Sequence, residues 1–388
     1  MNNFQFYNPT KIVFGEGSIA KLQELIPLES RVLMLYGGGS IKKNDVYQQV
    51  TDALSEHELF EFGGIEPNPE YTTLMKAVQL VRENQIDFLL AVGGGSVIDG
   101  TKFVAAASPY PGEDPWDIVD QGLGPSLKEA LPFGTVLTLP ATGSEMNNKS
   151  VISFRERGRK KSFASDDIYP KFSILDPKVT CSLPKKQVRN GLVDAYVHVF
   201  EQYMTYPVGG TMQDRQAEAL LMTIHDIAPA VLKMDPPDYT ARANYMWVCT
   251  NALNGLIGMG VPQDWSTHGI GHALTVLYGL DHAESLAVVL PWLLWYKRDQ
   301  KRDKLLQYGY RVLGQKSEDT LEHIDRTIEA LSAFFHSLGM PTTLTAYGLD
   351  PDKVAEETQK QLEDEKFTRG EHRDVTPTVA AEILRLSR

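Results

Sequence analysis

Short apolar runs alternate with amphipathic stretches through the first half of the chain. Val32 to Tyr36 is unbroken apolar sequence, and so is the body of Asp87 to Val92. Each run is followed by three glycines and a serine, so each reads as a buried strand ending in a tight turn. Asn44 to Ser55 and Tyr71 to Asn84 repeat apolar residues at helical spacing, and Val97 to Ala107 predicts a third helix. Val136 to Leu139 predicts another strand, stopped by Pro140. Strands that alternate with helices imply a parallel sheet covered on both faces. After Asp176-Pro177 the strand signals fade. Helical patterns take over at Val188 to Tyr203, Gln213 to Leu232 and Thr320 to Leu338. The expected organisation is an α/β domain over residues 1–178 and an all-helical domain over 179–388.

The segment Ala91 to Asp99, AVGGGSVID, carries the sharper of the two turns. Glycines let a backbone approach a ligand closely. The free amides of the helix that follows, with its dipole, favour a phosphate. Ser96 is placed to cap that helix or to donate to a phosphate oxygen. The spacing is not GxGxxG, so the usual dinucleotide fingerprint is not present. A tight strand-to-helix turn without a ligand is the alternative. The earlier turn, Gly37-Gly38-Gly39-Ser40, stands where the first strand of a nucleotide-binding sheet meets the adenosine ribose. An acidic residue there would bind the free 2′-hydroxyl of NAD. This turn has none, and Lys42 and Lys43 follow it. They suit a 2′-phosphate, or they are simply solvated. Thr138 to Glu145, TLPATGSE, offers hydroxyls after a strand.

Asp194 and His198 lie four residues apart in a predicted helix, and so do His268 and His272. That spacing puts both members of a pair on one face. His282 follows in GLDHAES. Imidazoles with a carboxylate suit Zn²⁺ or Fe²⁺ and disfavour Ca²⁺ or Mg²⁺. Gly269 and Gly271 are costly inside a helix, which implies a close approach there.

Composition narrows the partners. The chain of 388 residues has a net charge of −12 and 42% hydrophobic residues, as a globular protein does. Its acidity argues against nucleic acid or an anionic membrane. Two cysteines exclude a disulfide framework and fit a reducing cytoplasm. No signal peptide is evident, and the longest apolar run, Leu286 to Tyr296, is too short to span a bilayer.

Taken together, GGGS at 37–40, AVGGGSVIDGTK at 91–102, TLPATGSE at 138–145, NGLVDAYVHVFEQY at 190–203, VPQDWSTHGIGHAL at 261–274 and GLDHAESLAVVLP at 279–291 resemble the iron-containing, or group III, alcohol dehydrogenases. The similarity runs from end to end. It lies nearest the bacterial NADPH-dependent aldehyde reductases and butanol dehydrogenases. The resemblance implies the dehydroquinate synthase-like fold, with an α/β dinucleotide domain, a helical metal domain and a cleft between them. It implies Asp194, His198, His268 and His282 as metal ligands, with His272 beside them near the substrate. It implies that Gly94, Gly95, Ser96 and Asp99 hold the pyrophosphate and nicotinamide end. Thr138 and Thr142 would line the cofactor, and Lys160 would reach the nicotinamide ribose. NAD-preferring relatives carry an aspartate in the first turn, where this chain has Gly37 to Ser40, so NADP(H) is expected. Met146-Asn147-Asn148-Lys149 is more polar than the family pattern. Trp265, Met259, Ile257 and Asn147 either line a pocket for small aldehydes or pack in the core. The expected protein is therefore a cytoplasmic, homodimeric aldehyde reductase holding one Fe²⁺ or Zn²⁺.

Three other readings are weaker. A synthase of the dehydroquinate type would need basic residues around a polyanionic substrate, yet Leu192 to Tyr203 and Trp265 to Leu274 contain neither Lys nor Arg. A metallohydrolase would not carry GGGSVID. A protein that had lost its activity would not be expected to keep all four ligand positions.

Overall fold

The computed structural model describes residues 1–316 and 320–388. The strands are β1 (Lys11–Phe14), β2 (Arg31–Tyr36), β3 (Glu58–Phe62), β4 (Phe88–Gly94), β5 (Phe133–Leu139), β6 (Lys149–Phe154), β7 (Arg159–Ala164) and β8 (Phe172–Leu175). Six of them form a sheet in the order β1-β8-β5-β4-β2-β3, and β6 pairs with β7. Every pairing in the large sheet is parallel, and the small one is an antiparallel hairpin. The central strands are the continuous apolar runs, because both of their faces are covered. Val32 to Leu35 and Leu89 to Val92 are wholly buried.

The apolar pattern does not reveal the strands at the edges. In β3, Glu58 and Glu61 are exposed and the other residues only partly buried, and β1 has only its two middle residues partly covered. The hairpin strand β7, RKKSFA, buries Phe163 alone. Edge and surface strands bury little apolar surface, so their sequences are not continuous apolar runs.

The chain folds as two compact units. One comprises Tyr7–Pro184 and Lys233–Thr250, and the other Met1–Phe6, Lys185–Leu232 and Asn251–Arg388. The division therefore differs from a single cut near residue 178. Lys233–Thr250 belongs with the sheet because its side chains are bonded there. Arg242 Nη1 donates to the Thr180 carbonyl at 2.5 Å, Tyr245 Oη to the Pro140 carbonyl at 2.5 Å, and Thr250 Oγ1 to Glu145 Oε1 at 2.6 Å.

The second unit is built of helices. Lys185–Tyr203 is buried without a break from Gly191 to Tyr203. Ser266–Tyr278 stops at Gly279, whose φ of 69° is the left-handed conformation that ends helices. His282–Tyr296 then starts behind Asp281, which forms a capping box with Glu284. A Cβ at Gly271 would lie 2.9 Å from Ser285 Oγ, and one at Gly269 would strike the Phe367 ring. The two glycines predicted to allow a close approach thus allow protein packing: Ser285 belongs to the helix that begins at His282. Among the described residues no helix is long and apolar enough to cross a membrane.

Candidate functional site

Asp194 is at the middle of the buried Lys185–Tyr203 helix. Three histidine nitrogens converge on its Oδ1: His282 Nε2 at 3.5 Å, His198 Nδ1 at 3.6 Å and His268 Nε2 at 3.8 Å. The helix supplies Asp194 and His198 one turn apart. His268 lies in the first turn of Ser266–Tyr278, and His282 opens the next helix. The His198 and His268 rings stack, with centroids 4.5 Å apart. Donor atoms of Asp194, His268 and His282 all lie within 4.8 Å of one another.

These spacings test whether a metal fits. Two donors of one tetrahedral ion, each about 2.0–2.2 Å from it, stand roughly 3.3–3.6 Å apart. The contacts at Asp194 approach that spacing and exceed the usual hydrogen-bond distance. Among the described residues, Asp194 Oδ1 and His268 Nε2 are buried without a hydrogen-bond partner. A cation between them satisfies both, and nitrogen donors with one carboxylate match Zn²⁺ or Fe²⁺.

A glutamate that the motifs do not single out sets this geometry. Glu201 lies seven residues after Asp194, two helical turns along the same face. It accepts from the backbone amides of Thr267 at 2.6 Å and His268 at 3.3 Å, and it contacts His268 Nδ1. With a proton on Nδ1 shared with Glu201, Nε2 keeps its lone pair for a metal. Its signal was in the sequence: an acid at heptad spacing from a ligand position on a largely apolar helix. Burial opposes charge on His268, but Glu201 and then Asp194 carry its pKa up to about 9. Burial also opposes charge on Asp194, yet His198 first, with His268 and His282, holds its carboxyl far below the usual range. A metal arriving here must displace the imidazole proton.

His272 is half-buried, with its ring centroid 5.4 Å from that of His282 and 6.3 Å from that of His268. Trp265 flanks the centre, its ring 5.4 Å from His268, and its Nε1 donates to Gln263 Oε1 at 2.8 Å. Ile257 is buried and Met259 half-buried. Asn147 is buried. Its Oδ1 accepts from Lys102 Nζ at 2.9 Å and its Nδ2 donates to the Gly143 carbonyl at 2.9 Å.

The second glycine turn, Gly93-Gly94-Gly95-Ser96, is in the other unit. The pairing of β4 with β5 shifts register between Gly93 and Gly94, and the helix Gly95–Ala107 begins at once. A Cβ at Gly95 would collide with Thr142. Ser96 does not cap this helix. Its Oγ accepts from the Asn68 amide at 3.2 Å, and Asn68 Oδ1 accepts from Lys160 Nζ at 2.9 Å. Asn68, with φ of 58°, therefore joins two predicted cofactor residues that are distant in sequence. Thr138 is buried near the end of β5, and Thr142 Oγ1 accepts from the Ser144 amide at 3.2 Å.

Asp99 engages both carboxylate oxygens inside the unit, Oδ1 with Ser144 Oγ at 2.5 Å and Oδ2 with the Val151 amide at 3.0 Å. Lys102, fully buried one turn on, donates to Ser144 Oγ at 2.8 Å and to the Lys149 carbonyl at 2.8 Å, besides Asn147. The polar stretch 146–149 thus supplies acceptors for a buried lysine. Gly37 to Ser40 follow β2, with Gly39 at φ 87°, and Lys43 is exposed.

Comparison with known proteins identifies the family. Residues 9–177 match the family model for iron-containing alcohol dehydrogenase, and residues 189–387 match that for the C-terminal part of the same family. The chain is 54% identical over 390 residues to the NADPH-dependent aldehyde reductase YqhD of Escherichia coli, covering all of both chains. It is 41% identical to a probable NADH-dependent butanol dehydrogenase 1 of Bacillus subtilis, again covering all of both. The crystal structure of E. coli YqhD superposes with a TM-score of 0.96 at 53% identity, covering 100% of this chain and 99% of that one. An NADH-dependent butanol dehydrogenase A of Thermotoga maritima superposes with a TM-score of 0.91 at 36% identity, covering 100% and 99%. The chain belongs to the iron-containing alcohol dehydrogenases.

Proposed function

We propose that this protein reversibly reduces short-chain aldehydes to primary alcohols, using NADPH and one divalent metal, Fe²⁺ or Zn²⁺. The observation that carries the reading is the convergence of three histidine nitrogens on one buried oxygen of Asp194. Asp194, His198, His268 and His282 would hold the metal, and Glu201 would keep His268 in its binding tautomer. When bound, the metal supplies Lewis acidity at the carbonyl oxygen and NADPH supplies the hydride.

The chain's own residues do the remaining work. Amides at Gly94, Gly95 and Ser96 meet the pyrophosphate at a helix start. Thr138, Thr142 and Lys160 orient the nicotinamide ribose, and Asp99 braces the loop that carries Thr142 and Ser144. Gly37 to Ser40 and Lys43 take the adenosine ribose and its 2′-phosphate. His272, beside the histidine cluster, passes the proton that the reduced oxygen needs. The two relatives named above divide between NADPH and NADH. The choice here rests on the missing acid in the first turn. A cytoplasmic homodimer fits the two free cysteines and the exposed Met1, Phe4 and Phe6.

The test is Asp194→Ala with metal analysis and NADPH oxidation by butyraldehyde. Loss of bound metal together with activity is expected, and full activity without metal sinks the assignment. Gly38→Asp tests the cofactor. A Cβ at Gly38 meets nothing within 4 Å, so the side chain is accommodated. The NADPH-to-NADH ratio of kcat/KM should fall about tenfold or more from charge repulsion. An unchanged ratio refutes the placement of the 2′-phosphate.

A further inference from the structure

The glycine turn after β2 holds no acid, but the neighbouring strand brings one beside it. Glu61 pairs with Met34 across the β2–β3 ladder, and the chain leaving β3 returns to the turn, with the Gly64 amide donating to the Gly37 carbonyl at 3.0 Å. The Glu61 carboxylate accepts from Tyr36 Oη at 3.2 Å and from Tyr47 Oη at 2.5 Å. Tyr36 is the last residue of β2, directly before Gly37. Its ring occupies the space a Cβ at Gly63 would need, which a side chain there would approach to 2.6 Å. Two hydroxyls thus hold the carboxylate in place.

Lys42 completes the cluster. Its ammonium lies 3.6 Å from Glu61, 5.1 Å from the Tyr36 ring centroid and 4.6 Å from that of Tyr47. Lys43 is exposed and forms no ion pair among the described residues. The two adjacent lysines are therefore not equivalent.

We propose that Lys42 is the counter-ion of Glu61, and that by neutralising this fixed carboxylate it determines preference for a 2′-phosphorylated cofactor, while Lys43 is the cation left to meet the phosphate. The inference rests on the reading that Gly37 to Ser40 take the adenosine ribose of NADP(H). An uncompensated carboxylate held by two tyrosines would repel a phosphate within a Debye length, about 8–10 Å in ordinary buffer. A neutralised one would not. A lysine tied by a carboxylate and two rings also gives up part of its attraction for an external anion.

The test is a double-mutant cycle read by calorimetry, with 2′-phospho-ADP-ribose and ADP-ribose as probes and no turnover required. Wild type should prefer the phosphorylated probe. Lys42→Met should weaken it about five- to tenfold and leave ADP-ribose within about twofold, as expected for an exposed charge. Glu61→Gln should bind it as well as wild type or better. Lys42→Met/Glu61→Gln should recover most of the loss, because the unmasked charge is gone. The Glu61 side chain is one-third exposed and Gln is isosteric, so the fold is retained. Lys43→Ala should weaken the phosphorylated probe equally in the wild-type and Glu61→Gln backgrounds. A double variant as weak as Lys42→Met overturns the proposal, since Lys42 would then contact the phosphate itself. Equal binding of both probes by wild type refutes the NADP(H) reading and this inference with it.

Discussion

Glu201→Gln isolates the part that a carboxylate outside the proposed ligand set plays in the proposed metal centre. The glutamate receives two backbone amides, from Thr267 at 2.6 Å and His268 at 3.3 Å, and the His268 Nδ1 contact. Gln has the same shape and keeps one acceptor oxygen, but it carries no charge and offers an NH₂ where a second acceptor stood. The imidazole then loses a charged partner, becomes a weaker donor to metal, and is free to turn. Removing such an outer partner typically costs 10–100-fold in metal affinity, or about 1.4–2.7 kcal/mol. The same change weakens the start of the Ser266–Tyr278 helix, because both amides end on this carboxylate. Losing one charged hydrogen bond there costs about 1.5–3 kcal/mol of stability. Competition with a chelator, using Zn²⁺ or Co²⁺ at fixed pH, measures the affinity, and urea denaturation of the metal-free protein measures the stability. The metal deficit should remain after the stability loss is allowed for at low denaturant. A folded Glu201→Gln protein with wild-type metal affinity refutes the claim that Glu201 holds the His268 tautomer.

Two further outcomes concern the sheet-bearing unit. Gly95→Ala places a methyl against Thr142 at the register shift of β4 and β5. NADPH binding, measured by fluorescence titration, should weaken about tenfold or more as the loop shifts, since misplacement of about 1 Å can cost that much. Undiminished affinity would show that Thr142 moves aside freely. Lys102 is held at about 8 in the folded protein by burial, against 10.5 ordinarily, despite the pull of Asp99 and Glu145. Between those pH values the unfolded chain binds the extra proton, so raising pH through that window favours the folded state. Wild type should therefore gain stability relative to Lys102→Met as pH climbs from 8 toward 10.5, followed by denaturant titration. Parallel profiles for the two proteins would contradict this.

What the sequence revealed follows from burial. β2 and β4 are covered on both faces, and their continuous apolar runs predict them to within a residue or two. β1 and β3 lie at the edges and β7 is largely exposed, while β6 and β8, though mostly buried, are short and interrupted by serines, so none of the five was legible. The helix Lys185–Tyr203 was legible because its spacing is regular, and with it the pairing of Asp194 with His198. His268 and His282 come from two other helices, and no periodicity joins them to Asp194. Resemblance to a family did that. Glu201 and Asn68 escaped because each acts through another residue: one holds a histidine, the other ties Ser96 to Lys160. Asp99, which the resemblance set against the cofactor, and Asn147, expected either to line a pocket or to pack in the core, both bond into a buried network around Ser144 and Lys102. A sequence shows that a polar residue follows a strand but not which way it turns.

The return of Lys233–Thr250 to the sheet-bearing unit has a consequence for biosynthesis. A ribosome delivers the chain from its N-terminus, and domains ordinarily fold as they emerge. Here the sheet can form early, but Pro140, Glu145 and Thr180 await Tyr245, Thr250 and Arg242. A nascent chain ending at Pro184 lacks Thr250, the donor to the Glu145 carboxylate, and Met246, a buried member of the core around the sheet. The helix Lys185–Tyr203, with Asp194 and His198, is made in that interval, before its companions His268 and His282 exist. Completion of the sheet-bearing unit and assembly of the histidine cluster therefore fall late in translation, within a short stretch of synthesis. A fragment cut between residues 178 and 184 for expression should be aggregation-prone, whereas one carrying the chain through Ala252 would include every piece of that unit.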